Sequence, residues 1–282
     1  MKQPLIVITG PTASGKTGLA LDLAAQFSGE IICADSRTIY KGMDIGTAKP
    51  TVAEQAIVPH HLLDMVEPGE SFTAADFQTV ACAAIADIRR RGNVPFLVGG
   101  TGLYIDAVTL EYKWPQKLDD TDYEPYAIPE LQAMLRGREL PLPTNPLNKR
   151  HLIGALQRSG ESGSARTTPR DDVYVVAIRT DMSVLEARIR SRALQMFDEG
   201  IVDETKRLGE RYGWDSEAMT GNIYPLIKLF LEGRLTKDEV VERFVIKDRQ
   251  LAKRQLTWLK RHKFVHWGSL EEVRLYTETI LG

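Results

Sequence analysis

The sequence contains few cysteines and no long apolar run. Of its 282 residues, only Cys33 and Cys82 are cysteines. They lie in separate apolar segments and match neither a disulfide framework nor a zinc spacing, so we predict that both are reduced core residues. No apolar run approaches the ~18 residues that a transmembrane helix requires, and the apolar part of MKQPLIVITG is too short for a signal peptide. We therefore expect a cytoplasmic protein with no membrane partner.

The chain also lacks a strong net charge. Its formal net charge of -2 gives no overall basic field of the kind that favours nucleic acid, although a local basic face remains open. Hydrophobic residues make up 43% of the chain and charged residues 26%, which is typical of a globular protein. The length is sufficient for one large α/β domain or for one domain that carries an insertion.

Short apolar runs alternate with helical patterns over most of the chain. Strands are predicted at 5–8, 30–34, 61–66, 94–98 and 173–178, and helices at 16–27 and 73–91. Thr73 and Asp76 form a predicted capping box at the start of the second helix. This β-α-β-α-β alternation predicts an α/β fold with a parallel sheet and right-handed crossovers.

A proline-rich, acidic segment interrupts this pattern. Six prolines lie between residues 113 and 148. We therefore predict a core formed by 1–110 and 147–282, with a short insertion domain at 111–146. Helices are predicted at 130–136 and 147–157, and a flexible segment at 160–168. Ser183 and Glu186 form a predicted capping box for a helix that ends near residue 197. The longest helix is predicted at about 236–263.

The segment GPTASGKT, residues 10–17, fits the pattern G-x-x-x-x-G-K-[ST] and has a predicted strand before it and a helix after it. In such a loop the glycines allow backbone N–H groups to point at phosphate oxygens, and the helix N-terminus adds its dipole. Lys16 supplies a cation and Thr17 a hydroxyl that can ligate Mg²⁺. The alternative is an ordinary glycine-rich turn. The predicted phosphate-binding residues are Gly10, Pro11, Thr12, Ala13, Ser14, Gly15, Lys16 and Thr17.

Four more residues are candidates for the same edge of the sheet. Asp35 directly follows the second strand and is either a magnesium ligand, a general base or a helix N-cap. Thr101 follows Gly99-Gly100 at the end of a further strand, where a tight turn is the alternative. Arg188 and Arg192 are four residues apart, so they share a helix face and form either a diphosphate clamp or a solvated surface.

The stretch from residue 247 to 263 is strongly basic, with seven Lys or Arg and one Asp. A basic helix that carries Trp258 suits a nucleic-acid backbone, but its charges would equally suit a solvated face above a core stripe of Leu251, Trp258 and Leu259. His60 and His61 are adjacent and would point to opposite faces of a strand. No matching Cys or His set accompanies them, so we predict no metal site formed by protein ligands alone.

These motifs together resemble one known family. GPTASGKT, ADSRTIYKGMDIGTAKP, HHLLD, FTAADF, VGGTGLY, NPLNKRHLIGALQ, MFDEGIVDE and LAKRQLTWLKR are similar, in this order, to segments of the bacterial tRNA dimethylallyltransferases. The resemblance covers nearly the whole chain, and KGMDIGTAKP is its most specific part. It implies transfer of a dimethylallyl group from dimethylallyl diphosphate to N6 of the adenosine 3′ of the anticodon.

The resemblance also implies a fold and residue roles. The fold would be a P-loop kinase-like core with a small helical insertion that contacts the anticodon stem. Asp35 would be the general base, Thr101 would orient the donor, and Arg192 with Arg188 would neutralise the diphosphate beside Mg²⁺. The adenine would flip out of its stack to reach the site. The implied tRNA-binding residues are Asp35, Ser36, Arg37, Thr38, Thr101, Lys149, Arg150, Lys253 and Arg254.

The sequence departs from the family pattern at four places. Thr38 stands where many members have Gln, and Gly154 stands where many have Arg. The insertion is shorter and more acidic than usual, and TGNIYP at 220–225 replaces an AIGYKE-like block. Three alternatives therefore remain beside a monomeric tRNA-modifying enzyme: an adenylate isopentenyltransferase acting on free nucleotides, a P-loop small-molecule kinase, and a non-catalytic RNA-binding protein.

Overall fold

The computed structural model describes residues 3–161 and 163–282 and divides the chain into two compact units. The first unit is formed by the chain up to Thr109 together with Thr168–Gly282, and the second by Leu110–Thr167. Each unit has an apolar core of its own. The second unit is longer than the insertion predicted at 111–146.

One parallel six-stranded sheet forms the centre of the first unit, which confirms the predicted α/β class. Its strands are β1 Leu5–Thr9, β2 Gly29–Ala34, β3 His60–His61, β4 Val94–Gly99, β5 Val173–Ile178 and β6 His266–Gly268, in the order β3-β2-β4-β1-β5-β6. Thr9 and Ala34 both pair with Gly99. The three central strands therefore end at one level, so the residues that follow them meet at one edge of the sheet.

Helices cover both faces of this sheet. In the first unit they are α1 Lys16–Gln26, α2 Val52–Ile57, α3 Ala74–Arg90, α4 Gly102–Thr109, α7 Met182–Glu199, α8 Ile201–Tyr212, α9 Tyr224–Leu231, α10 Lys237–Leu259 and α11 Leu270–Leu281. Ile6 and Ile8 pack on the α1 side, whereas Leu5 and Val7 pack on the α3 side. Burial on both faces explains why the strands read as continuous apolar runs. No helix in the described residues is long and apolar enough to cross a membrane.

One predicted strand end and one predicted helix cap are wrong. The strand predicted at 61–66 ends at His61, because Leu62 and Asp64 adopt positive φ angles of 65° and 53°. Ser183 and Glu186 do not cap α7, because the helix already begins at Met182 with Asp181 at the N-cap. Glu186 instead forms an ion pair of 3.0 Å with a residue on α10, Arg249.

Other helix boundaries follow the sequence closely. Thr73 caps α3, and its side chain and that of Asp76 form the predicted capping box. Thr236 caps α10, which is the longest helix at 23 residues, as predicted, although it ends at Leu259 rather than Lys263. The capping-box pattern therefore predicted the start of α3 correctly but not that of α7.

The second unit is built from α5 Ile128–Gly137 and α6 Lys149–Gln157. Leu131 and Leu135 of α5 pack against Leu152 and Leu156 of α6, with Tyr123 in the same cluster. Because α6 buries its apolar face in this cluster, it belongs to the second unit and not to the core as predicted.

An antiparallel bridge between Lys113 and Ser164 joins the two ends of the second unit, with backbone N···O distances of 2.7 and 3.1 Å. One residue of this bridge, Ser164, lies in the segment predicted to be flexible at 160–168, of which Ser162 lies outside the described residues. The boundary of the unit therefore extends to Thr167.

The two cysteines differ in environment. Cys33 is buried in β2, as predicted, but Cys82 is exposed, so its assignment to the core is wrong. Helix α3 buries Phe77, Ala81 and Ile85. Cys82 is one residue beyond Ala81 and is therefore turned about 100° away from the buried stripe.

Candidate active site

The GPTASGKT segment forms a tight loop between β1 and α1. Gly10 and Gly15 have φ angles of 151° and 93°, and Ala13 has a φ angle of 63°. A Cβ atom on Gly10 would lie 3.0 Å from Ser14 Oγ and 3.4 Å from the Ile178 backbone. Gly15 occupies the N-cap of α1 and makes no side-chain cap bond, so the first amides of this helix face the loop without a protein cap. This is the geometry that an anion-binding loop requires.

A cavity of about 500 Å³ opens beside this loop. It brings together most of the predicted catalytic and phosphate-binding residues, although Thr101 does not line it, and it also has an apolar wall. Its polar lining includes Thr12, Lys16, Thr17, Asp35, Thr38, Arg188, Arg192 and Gln255, and its apolar lining includes Ala20, Ile31, Cys33, Val98 and Leu251. The arrangement suits a ligand with an anionic end and an apolar end.

Lys16 lines this cavity among other charged groups. Burial, with a smaller contribution from the Arg192 guanidinium, lowers the pKa of its ammonium to about 8, although Asp35 and Asp248 oppose the shift. Its Nζ lies 3.4 Å from the Pro11 carbonyl oxygen. An incoming dianion would favour the charged form of Lys16 and raise its pKa.

Asp35 lies directly beyond β2, as predicted. Its Oδ1 accepts the Arg37 backbone N–H at 2.8 Å, so one oxygen fixes the turn that follows. Its Oδ2 has no hydrogen-bond partner in the described part of the chain. The capping role and a role in chemistry are therefore compatible, because they use different oxygens of one carboxylate.

Thr101 is tied to the same turn. Its Oγ1 accepts the Ser36 backbone N–H at 3.0 Å, which joins the ends of β2 and β4. The preceding glycines are needed for this close approach, because a Cβ on Gly99 would lie 2.0 Å from the Ala34 carbonyl oxygen. The side chain of Thr101 is thus hydrogen-bonded to the residue that follows Asp35.

Arg188 and Arg192 both reach the phosphate loop from α7. Arg188 Nη1 donates to the Ala13 carbonyl at 3.2 Å, and Arg192 Nη2 donates to Thr12 Oγ1 at 2.9 Å. The shared face predicted from their spacing therefore borders the loop, with Arg188 exposed to solvent and Arg192 half-buried. Together with Lys16 they place three cationic groups around one loop.

The residues predicted to contact tRNA fall into several environments. Thr38 is buried and lines the cavity. The Arg37 guanidinium donates to the Glu217 carbonyl at 2.9 Å and to Thr220 Oγ1 at 3.1 Å, so this side chain holds a neighbouring loop. Lys253 and Arg254 are exposed on α10.

Two further tRNA candidates lie in the second unit. Lys149 forms an ion pair of 3.4 Å with Glu124, and Arg150 is exposed at the start of α6. Lys149 is half-buried and only Arg150 is exposed, and contact of either residue with tRNA stays a prediction.

Gln255 belongs to the site but was not predicted from the sequence. Its Oε1 accepts the Thr12 N–H at 2.8 Å, and its Nε2 donates to the Gly100 carbonyl at 3.2 Å. Gln255 therefore bridges the phosphate loop and the turn before Thr101. The position of this polar residue between Lys253-Arg254 and Trp258 could have indicated a role, but the basic residues around it predicted only a charged surface.

Glu204 was also missed, although it shapes one wall of the cavity. Its carboxylate accepts the backbone N–H groups of Asp44, Ile45 and Gly46 at 2.8–3.0 Å, and it accepts the Tyr224 hydroxyl at 2.9 Å. This contact anchors the loop whose next residues, Thr47 and Ala48, line the cavity. The specific KGMDIGTAKP segment therefore owes its conformation to a residue more than 150 positions away.

A parallel sheet with this loop at its carboxyl edge defines a P-loop protein with an NTPase-like fold. A family model described as IPP transferase matches residues 38–262. The chain belongs to this family.

Relatives and solved structures agree with that assignment. A tRNA dimethylallyltransferase of a Roseiflexus species is 42% identical over 92% of this chain and 90% of its own length. The enzyme of that name from Shouchella clausii is 39% identical over 96% of this chain and 93% of its own. The crystal structure of a tRNA isopentenylpyrophosphate transferase from Bacillus halodurans superposes with a TM-score of 0.75 at 35% identity, covering 99% of this chain and 97% of that one.

Proposed function

We infer that the protein transfers a dimethylallyl group from dimethylallyl diphosphate to N6 of the adenosine 3′ of the anticodon in tRNA and releases diphosphate. The observation that carries this proposal is the cavity in which the phosphate loop and its arginines meet Asp35 and an apolar wall. The apolar wall suits the hydrocarbon chain of the prenyl donor. The relatives named tRNA dimethylallyltransferase, which match the chain almost end to end, support the same substrate pair.

The residues around the cavity suit the proposed reaction. The P-loop amides with Lys16 and Arg192 would take up the charge that develops on the leaving diphosphate, and Arg188 would assist them. As the C–O bond to the diphosphate breaks, the adenine N6 forms a bond to the allylic carbon and loses a proton. Asp35 Oδ2 would accept this proton, and Thr101 would hold the turn and the reacting groups in place.

The donor set also fits Mg²⁺ that arrives with the diphosphate. Thr17 lines the cavity next to Lys16 and offers a hydroxyl. No group of three or more His, Cys, Asp or Glu side chains in the described residues could hold a metal alone. This suits Mg²⁺, which binds through few protein ligands plus substrate phosphates. Bound there, Mg²⁺ would neutralise part of the diphosphate charge.

The proposal is tested by product analysis. The protein is incubated with Mg²⁺, dimethylallyl diphosphate and one of two acceptors. The first acceptor is a tRNA that carries adenosines at and beside the position 3′ of the anticodon, and the second is free AMP. We expect N6-prenyl-adenosine in the tRNA and none on AMP. Product on AMP alone would favour an adenylate isopentenyltransferase, and ATP-dependent phosphorylation of a small acceptor would favour a kinase.

We further expect that the protein is cytoplasmic and monomeric.

Donor binding should depend on pH through Lys16. Because the pKa of the Lys16 ammonium in the ligand-free protein is about 8, the apparent affinity for dimethylallyl diphosphate should fall by up to about tenfold per pH unit as the pH rises above 8. The measurement is the donor KM on both sides of pH 8. In Lys16→Arg the guanidinium stays protonated, so its KM should not show this fall. The same alkaline fall in both proteins would exclude Lys16 as its source.

Binding of tRNA should depend on the exposed cations of α10. Replacing Lys253 and Arg254 with alanine should weaken tRNA binding and lower the slope of log K against log salt by about one per lost phosphate contact. The measurement is tRNA affinity at several salt concentrations. The control is Lys237→Ala at the other end of α10, where the ammonium lies 3.7 Å from Asp198. An unchanged slope in the double variant would assign these cations to a solvated face.

A further inference from the structure

Arg192 reaches the phosphate loop as one member of a longer chain of contacts. Its Nη2 lies 2.9 Å from Thr12 Oγ1 and 2.5 Å from Asp248 Oδ2. The Nε atom of Arg192 is buried and has no hydrogen-bond partner in the described residues. The position of the guanidinium therefore depends on the contacts of Nη2 and on the Phe244 ring, whose centroid is 5.9 Å from Cζ.

Asp248 is itself held in place by a second residue. Its side chain is buried, and the Asn222 Nδ2 donates to its Oδ1 at 2.6 Å. Each oxygen of Asp248 thus has its own partner, Asn222 on one side and Arg192 on the other. This pairing fixes the plane of the carboxylate, because each oxygen must face its own donor.

Both residues are unexpected where they stand. Asp248 is the only acidic residue between 247 and 263. Asn222 belongs to the TGNIYP segment that departs from the family pattern. A buried carboxylate beside an anion-binding loop weakens the positive field there, because it opposes Lys16 and Arg192. Such a group needs a compensating role, and its contacts supply one by directing Arg192 at Thr12.

We propose that Asn222 and Asp248 are positioning residues for diphosphate departure, in which Asn222 orients the Asp248 carboxylate and this carboxylate holds Arg192 against the phosphate loop. The inference rests on the proposed function. It assigns a role to the TGNIYP segment, which supplies the amide that completes this chain of contacts.

The first test uses Asn222→Ala. The loss of the amide frees the Asp248 carboxylate to rotate, and a misplaced Arg192 should lower kcat by about 10–100-fold while the tRNA KM stays unchanged. Binding of inorganic diphosphate with Mg²⁺, measured by calorimetry, should weaken as well. The control is Gln250→Ala, an exposed position on α10 two residues from Asp248. Its kcat and its diphosphate affinity should match those of the parent protein.

The second test uses Asn222→Asp, which keeps the shape of the side chain and places two carboxylates in contact. At low pH the two carboxylates share a proton, so the contact with Arg192 should survive. As the pH rises, the introduced carboxylate also ionises, and the two negative charges repel each other. The kcat of Asn222→Asp should therefore fall over a pH range in which the kcat of the parent protein and that of Asn222→Ala do not change with pH. The facing cations are Arg192 from α7 and Lys16 from the phosphate loop, with Asp35 across the cavity.

Several outcomes separate this inference from the proposed function. An unaltered kcat in both Asn222 variants, or a parallel loss of tRNA binding and thermal stability, would overturn the positioning role. If the parent protein forms no prenyl-adenosine, the proposed function fails, and the calorimetric comparison still decides whether Asn222 holds the diphosphate site. Asp248→Asn removes the negative charge but keeps the shape of the side chain. Because the proposal gives the orientation of Arg192 more weight than the lost negative charge, this variant should weaken diphosphate binding, as Asn222→Ala does. Tighter binding in Asp248→Asn would contradict the inference.

Discussion

Turnover should fall by roughly 10²–10⁴-fold when Asp35 is replaced with asparagine, while the affinity for tRNA stays unchanged. Asparagine keeps an Oδ1 acceptor for the Arg37 N–H, so the turn after β2 should be preserved. It replaces the second carboxylate oxygen with an amide that cannot accept the N6 proton. The measurement is single-turnover prenyl transfer at saturating donor and tRNA, together with a tRNA binding curve.

A matched control separates the loss of a base from the loss of a negative charge. Asp198→Asn removes a carboxylate whose side chain is 78% exposed on α7, and its turnover should equal that of the parent protein. Thermal unfolding of both variants should match, because the Asp35 variant keeps its turn. If Asp35→Asn retains full turnover, the proton acceptor is another group and Asp35 only fixes the turn.

The sequence predicted those parts of the site that depend on local chain geometry. GPTASGKT, Asp35 and Thr101 each follow a strand, and strands of a parallel sheet end at one edge, so their proximity follows from the topology alone. Arg188 and Arg192 were paired by their helical spacing, but the spacing did not reveal which way the shared face points. The loop contacts of both arginines settle that question.

The parts that the sequence did not predict depend on contacts between distant segments. Glu204, Gln255 and Asp248 lie on helices at positions where a polar residue normally faces solvent. Only the packing of α8 and α10 against the loops beside the sheet turns them inward. The same limitation explains the boundary of the second unit, because the pairing of α5 with α6 is a matter of tertiary packing and not of proline content.

Replacing Glu204 with glutamine should lower the free energy of unfolding by about 3–5 kcal/mol, because one oxygen becomes a donor that faces other donors. The carboxylate accepts three backbone N–H groups and the Tyr224 hydroxyl, all within 3.0 Å. A Cβ on Gly46 would lie 2.5 Å from the Tyr224 ring, so the loop is packed tightly against this anchor and has little room to adjust. The measurement is chemical or thermal unfolding of the variant and the parent protein.

Two controls define what this loss means. Glu210→Gln changes an exposed carboxylate on the same helix and should alter the free energy of unfolding by less than about 0.5 kcal/mol. Tyr224→Phe removes only one of the four contacts to Glu204 and should cost about 1 kcal/mol. In the folded fraction of Glu204→Gln, the donor KM should rise more than the tRNA KM, since Thr47 and Ala48 line the cavity beside the anchored loop. If Glu204→Gln were as stable as Glu210→Gln, the loop would hold its conformation without the carboxylate, and the wall of the cavity would be set by Gly46 and Tyr224 alone.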